Sequence, residues 1–383
     1  MNNSCPICGS RNIIIFLRRQ DVPAHQNLPL NNQSEAIHSP KGTLEMSLCQ
    51  DCKFIFNSQF DEENMEYTQK YNNNQFFSPS FRQYVDDIIN YLILKRKIGN
   101  STILEIGCGK GDFIRDLISK GYGNRGIGFD PSYIGSEEMF DGNLRYIKDF
   151  FDSRYNNISA DVVICRHVIE HISSPLKFLR NLKESLQNTN TVNVFFETPC
   201  VEWILKNNVF WDFFYEHCSY FTSDSLTNVF ELAGFKVQDV KHIFNGQYLW
   251  LEATLNRGES KTISDSNLLD LVNQYNENET NIIKRWSEKL ELLENVAVWG
   301  AGAKGVTFVN LLDPQRKLIN CVVDINPDKQ GKFIPGTGHP IINHTQLLDR
   351  NITSIIVMNP NYMDEIRKLI SGFEIRIQLL GVE

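Results

Sequence analysis

No apolar run in this 383-residue chain approaches the roughly 20 residues that a membrane-crossing helix needs. The beginning, Met1-Asn2-Asn3-Ser4-Cys5, has no charged and apolar signal region, so a cytoplasmic location with no membrane partner is expected. Positive charge is in short supply: 38 Lys and Arg stand against 46 Asp and Glu, with no basic stripe. Binding a phosphate backbone takes clustered cations, so a nucleic-acid partner is not expected. No short-period repeat is visible, which argues against a solenoid. The chain is too long for one core and predicts two large domains beside a small module.

Cysteine is scarce but ordered. Of nine, four form two Cys-x-x-Cys pairs, Cys5-Pro6-Ile7-Cys8 and Cys49-Gln50-Asp51-Cys52. Each such hairpin points two thiolates at one ion, and two hairpins complete the tetrahedral sulfur shell of a closed structural zinc site. The long loop between them costs little, because closure entropy grows slowly with length. His25 and His38 lie in that loop, and either could replace one sulfur. The doubled spacing favours structural zinc over a redox dithiol. Cys108, Cys165, Cys200, Cys218 and Cys321 are scattered, mostly in apolar strand-like contexts, and read as buried free thiols.

Three regions follow from the patterning: residues 1–62 as the zinc-binding module, 63–255 as a first large domain and 256–383 as a second. Phe81, Tyr84, Ile88, Ile89 and Leu92 recur at helical intervals and lead into a strand at Thr102–Ile106. Further short runs, Arg125–Asp130, Ala160–Cys165 and Thr191–Phe196, alternate with helical patterns and predict a parallel sheet covered on both faces. A charged helical segment from Leu268 to Leu293 then leads to a second strand and glycine turn. The expected fold class is therefore α/β: a doubly wound sheet, a second Rossmann-like α/β domain and the zinc module.

The first glycine turn, Leu104-Glu105-Ile106-Gly107-Cys108-Gly109-Lys110-Gly111, joins a carboxylate at a strand end to glycines that let a ligand approach the backbone. Asp130 closes the next strand, where an acid bonds the ribose hydroxyls of an adenosyl cofactor. A plain dinucleotide site shares these features. The acid before the first glycine, however, resembles the first motif of class I S-adenosylmethionine-dependent methyltransferases. That resemblance implies Glu105, Gly107, Gly109 and Asp130 as cofactor contacts. It adds Asp149 and Phe150 beside the adenine, and Arg166 and His167 of Cys165-Arg166-His167-Val168 beside the methionine part. For Asp149 the alternative is a solvated turn carboxylate; for His167, Glu170 and His171 it is helix capping and surface pairing.

The cysteine module, this core, Tyr215-Glu216-His217-Cys218-Ser219-Tyr220-Phe221 and the ending Asp324-x-Asn326-Pro327-x-Lys329-Gln330-Gly331 together resemble the three-domain sugar-nucleotide C-methyltransferases. The resemblance runs nearly end to end and implies S-adenosylmethionine and zinc as cofactors. It implies a nucleotide-linked 4-keto deoxysugar as substrate, methylated at carbon. Such chemistry needs a base to remove a proton beside a ketone, a task suited to a histidine near neutral pKa. His217 is the expected general base, with Glu216 its partner or a second acid/base group. The resembled family reads Tyr-His-Glu-His where this chain reads Phe214-Tyr215-Glu216-His217, so the first hydroxyl is missing. Tyr220 is expected to supply a hydroxyl instead. Tyr71 and Ser78 upstream, together with Tyr215, are expected at the substrate.

The second turn, Gly300-Ala301-Gly302-Ala303-Lys304-Gly305 followed by Asp324, fits dinucleotide spacing, so NAD binding is a fair reading of these residues alone. The resemblance implies instead that this domain helps enclose the sugar nucleotide, with Lys304 at the helix start where diphosphate would sit. Methylation of oxygen or nitrogen on another small molecule is the remaining alternative.

Overall fold

The computed structural model describes residues 4–65, 71–155, 158–186, 192–255, 267–373 and 377–381. Thr191, the expected start of one strand, and the expected domain boundary at 256 lie outside the described residues. No described helix is long and apolar enough to cross a membrane.

The central sheet has eight strands, in the order 236–243, 248–254, 193–199, 162–166, 102–106, 125–129, 144–147, 138–139. Its five middle strands, from 193–199 to 144–147, run parallel. Alternation along them supplies both faces, since successive side chains point to opposite sides. Leu104, Val163, Phe196 and Leu251 pack toward the helices Pro175–Ser185 and Ser223–Ala233. Their neighbours Ile103, Ile164, Phe195 and Trp250 pack toward Pro79–Asn90 and Asp112–Ser119. Local chemistry sets the helix ends. Ser78 caps the first of these helices by accepting from Phe81 N, with Pro79 at its first position. Thr222 and Ser225 form a capping box, and Gly234 closes that helix in the left-handed conformation.

The runs expected to pair in parallel do so, and antiparallel strands at the two edges make the whole sheet mixed. The hairpin Lys236–Ile243 and Tyr248–Thr254 adds two antiparallel strands at one edge, and Glu138–Met139 adds a short antiparallel strand at the other. A second sheet of five parallel strands, ordered 341–342, 319–323, 296–299, 354–357, 378–381, forms the C-terminal region.

The N-terminal strands Ile13–Pro23, Lys41–Cys49 and Ile55–Asn57 form an antiparallel sheet that takes Ser219–Tyr220 as its fourth strand. Alternation operates here as well. Leu48 and Ile55 join the apolar cluster shared with the C-terminal region, whereas Phe54 and Phe56 join the core of the central sheet. Burying a phenylalanine contributes about 1.5–3 kcal/mol, so the module is fused to both neighbours by its own core residues.

Both sheets reverse the order of their parallel strands beside a glycine turn: between 102–106 and 162–166 in one, and between 296–299 and 354–357 in the other. Ligands of open α/β sheets gather outside the carboxyl ends of strands at such points.

Candidate active site

The strand Thr102–Ile106 delivers Glu105 to its carboxyl end, and the turn that follows is held tightly. Gly107 has φ of +75°, and a Cβ there would stand 2.1 Å from Val168 Cγ2. Only glycine allows the turn to lie so close to the segment after the neighbouring strand. Gly109 N donates to Asp130 Oδ2 at 2.8 Å, while Ser132 N donates to Oδ1 at 2.7 Å. Beside this turn lies a cavity of about 420 Å³ lined by Glu105, Gly107, Gly109, Asp130, Phe150 and Arg166.

Two buried polar atoms of its wall, Glu105 Oε2 and Arg166 Nη2, have no hydrogen-bond partner among the described residues. Leaving such atoms unpaired is costly, so they fit a ligand that carries both an ammonium and a carboxylate. The amino-acid end of S-adenosylmethionine has both. Burial pushes the Glu105 carboxyl up to about 8, offset in part by Arg166. Asp149 lies at the cavity but on its exposed rim, where Arg154 and Tyr155 hold it below the usual carboxylate range. Phe150 beside it is 56% exposed, an open apolar face at the mouth.

Glu197, unremarked in the sequence, organises the floor. Its carboxylate accepts from Arg166 Nε at 2.6 Å and from Tyr84 Oη at 2.7 Å, and lies 2.9 Å from His167 Nε2. Burial opposes charge on this carboxyl, but Arg166 and His167 overcome that and hold it well below its ordinary value. His167 adopts φ of +54° and has Glu170 Oε1 3.4 Å from its Nδ1. Burial alone would lower its pKa; the carboxylates of Glu197 and Glu170 reverse this and raise it to about 9.

A second cavity, of about 220 Å³, lies between the central and C-terminal sheets. Asn73, Asn74, Gln75, His167 and His171 line both cavities, so the two meet there. His217 lines the second, its ring 4.7 Å from His171 and 4.1 Å from Phe214. Burial, then the positive fields of His171, His167 and Lys304, holds His217 well below its ordinary value. Lys304 also lines this cavity, with Nζ 2.6 Å from Asp212 Oδ2. Ser78 lines it too, but donates to Glu365 Oε2 at 2.6 Å besides capping its helix.

Three expectations need correction. Glu216 does not pair with His217. Its carboxylate accepts from the backbone N–H groups of Gln26 and Asn27 and, at 3.0 Å, from Tyr71 Oη, so it ties this segment to the N-terminal module. Tyr71 keeps a place in the wall of the first cavity. Tyr220 is buried in its short strand, where Oη accepts from Phe214 N at 3.1 Å; it shapes the turn and lines neither cavity. Tyr215 turns to the module as well. Its ring lies where a side chain on Gly42 would be, and its hydroxyl accepts from Asp61 N at 2.9 Å.

The four paired cysteines converge. Cys5 and Cys52 sulfurs are 3.4 Å apart, those of Cys8 and Cys49 3.5 Å, and all four lie within 4.8 Å of one another. Four sulfurs about 2.3 Å from a central zinc stand about 3.8 Å apart, so the cluster fits that ion. Neither loop histidine belongs to it. His25 lies 3.8 Å from Glu216, and His38 bonds the Ser34 carbonyl at 2.7 Å.

With this geometry in view, the comparisons with known proteins identify the regions. Residues 78–240 match the methyltransferase domain family, and residues 261–375 match the C-methyltransferase C-terminal domain. A ubiquinone biosynthesis O-methyltransferase of Rickettsia bellii is 31% identical over 108 residues, which is 26% of this chain and 45% of that enzyme. The chain thus spans less than half the length of that relative. The C-methyltransferase NovU of Streptomyces niveus is similar over 95% of this chain and 91% of its own, at 22% identity. A SAM-dependent methyltransferase structure from Aquifex aeolicus aligns with 47% of the chain and 95% of its own, at 16% identity and a TM-score of 0.35. The matched domains are those of an S-adenosylmethionine-dependent methyltransferase. The second of them is of the C-methyltransferase kind.

Proposed function

We propose that the protein methylates a carbon beside the ketone of a nucleotide-linked 4-keto deoxysugar. The observation that carries this reading is the meeting of two cavities at His167 and His171, with His217 facing the second. Glu105, Arg166 and Asp130 would hold S-adenosylmethionine in the first cavity, and that molecule supplies an electrophilic methyl group when bound. The sugar nucleotide occupies the second. Lys304, at the start of the helix Ala303–Leu312, meets its diphosphate.

His217 acts as the base. Its depressed pKa keeps the imidazole neutral at physiological pH, with a lone pair ready for the proton beside the ketone. Glu216 positions the segment rather than sharing the proton. Phe214 gives the wall beside His217 an apolar surface where the resembled enzymes have a hydroxyl, so polarisation of the ketone falls to other groups. Zinc in the four-cysteine cluster braces the module, away from bond making.

The test is exchange of the ketone's neighbouring hydrogen in deuterium oxide, with S-adenosylhomocysteine present and a nucleotide-linked 4-keto-6-deoxyhexose as probe, read by mass spectrometry. The expected result is uptake of one deuteron. His217→Ala should slow uptake by about 100-fold or more, the usual scale for losing a general base. The wild-type rate should be flat above neutral pH and fall only in acid, because the depressed base stays unprotonated until then. Undiminished exchange in His217→Ala removes the base assignment. Methylation of oxygen or nitrogen without exchange would establish the other transferase reading.

A further inference from the structure

Cys200, read from sequence as an inert buried thiol, has two metal-binding neighbours outside the active site. Its sulfur lies 3.7 Å from His242 Nδ1 and 3.9 Å from Glu202 Oε2. The three ligand atoms all lie within 4.8 Å of one another. They come from three places in the fold: the end of strand Asn193–Pro199, the helix Val201–Lys206 and the edge strand Lys236–Ile243. With zinc–sulfur bonds of about 2.3 Å and zinc–nitrogen or zinc–oxygen bonds of about 2.0 Å, the edges of a tetrahedron are about 3.5 Å. The two separations from the sulfur are a few tenths of an ångström longer, and the histidine and carboxylate atoms lie within 4.8 Å of each other, close enough for one ion to draw the three together.

The surroundings prepare the ligands. Ser223 Oγ stands 3.3 Å from His242 Nε2. When that nitrogen donates its proton to Ser223, the lone pair of Nδ1 faces the sulfur, the arrangement by which outer partners set a metal-binding histidine. Glu202 Oε2 accepts from Ser223 N at 3.4 Å, so one residue orients both partners. Cys200 cannot drift: its N–H donates to Gln247 O at 2.9 Å, and its carbonyl accepts from Ile204 N at 3.2 Å. Burial falls from Cys200 to half-buried Glu202 to exposed His242, which leaves one side open to solvent as an entry path.

We propose that Cys200, Glu202 and His242 form a second zinc site, separate from the four-cysteine cluster, with its fourth position open to water. The mixed sulfur, nitrogen and oxygen set suits this borderline ion. Binding releases the thiol proton to solvent and joins three elements behind the acceptor cavity, whose wall includes Pro199 and Gln247.

The test is metal counting on the full chain after equilibrium dialysis against micromolar zinc, by plasma mass spectrometry. His242→Ala changes an exposed side chain and should fold as the wild type does, checked by circular dichroism. Its zinc content should be one equivalent lower per chain, and Cys200→Ser should lose the same equivalent. In protein whose first equivalent is zinc, cobalt added as the second should show a sulfur-to-metal charge-transfer band that His242→Ala lacks. Equal zinc content in folded His242→Ala and wild type would falsify the site.

Discussion

The chain contains two glycine turns that read alike, and their surroundings make them different. Each follows a parallel strand, precedes a helix and is held by an acid from the next strand: Asp130 takes Gly109 N, and Asp324 takes Ala301 N at 2.8 Å. Each also has a lysine bonding a nearby carbonyl, Lys110 to Ser132 O and Lys329 to Ala301 O. At the first turn, Glu105 and Arg166 keep buried polar atoms without partners among the described residues, facing a cavity. At the second, Lys304 is met by Asp212 from the region before it, and the turn forms one wall of a cleft shared with the central domain. Unpaired buried groups mark where a ligand completes the structure. A shared motif predicts the shape of the backbone; the partners left open predict the guest.

The sharpest way to break this comparison is to add one methyl group to each turn. Gly107→Ala places a Cβ against Val168 at a left-handed backbone position, and S-adenosylhomocysteine affinity should fall by more than about 100-fold in calorimetry, given such a clash and strain together. Gly302→Ala meets nothing nearer than 3.7 Å and has no left-handed φ, so the same affinity should be unchanged. Equal losses in both variants would mean that both turns hold the cofactor.

A smaller effect is expected from Glu105→Gln, which keeps the shape but cannot ionise against a ligand ammonium. Loss of a charged hydrogen bond should weaken S-adenosylhomocysteine binding about tenfold. Stability should change with pH as well. Between the ordinary carboxyl value and about 8, the folded protein keeps a proton that the unfolded chain has released, so wild-type stability falls as pH rises through that window. Melting curves of the ligand-free variant should lack that part of the slope. An identical pH dependence in both proteins would refute the raised carboxyl.

The smallest expected effect is at the second turn. Lys304→Met should raise the acceptor KM about fivefold, roughly 1 kcal/mol, while leaving S-adenosylhomocysteine affinity alone. The reverse pattern would exchange the roles of the two turns.

Much of the scaffold was legible because periodicity is local. The strands at 102–106, 125–129 and 162–166, the helix from Leu268 and the convergence of the paired cysteines follow from alternation, helical spacing and thiol pairing. The edge hairpin was missed although its signal was present: Asn245-Gly246 between two strand-like runs, with Phe244, Asn245 and Gly246 all at positive φ. Glu197 gave no such sign. It follows an apolar run, and only the sheet brings Arg166, His167 and Tyr84 around it.

The segment from Phe214 to Tyr220 divides what each level decided. Sequence by itself determined that an ionisable, aromatic stretch follows the core strands, and it singled out His217 as the candidate base. It could not determine which side chains face the cleft, because irregular backbone has no period to set their direction. The tertiary structure decided that. Backbone N–H groups of the module draw Glu216 away, Gly42 makes room for Tyr215, and the turn carrying Phe214 occupies the Tyr220 hydroxyl. His217 and Phe214 remain at the cleft, while Tyr215, Glu216 and Tyr220 find their partners elsewhere in the fold.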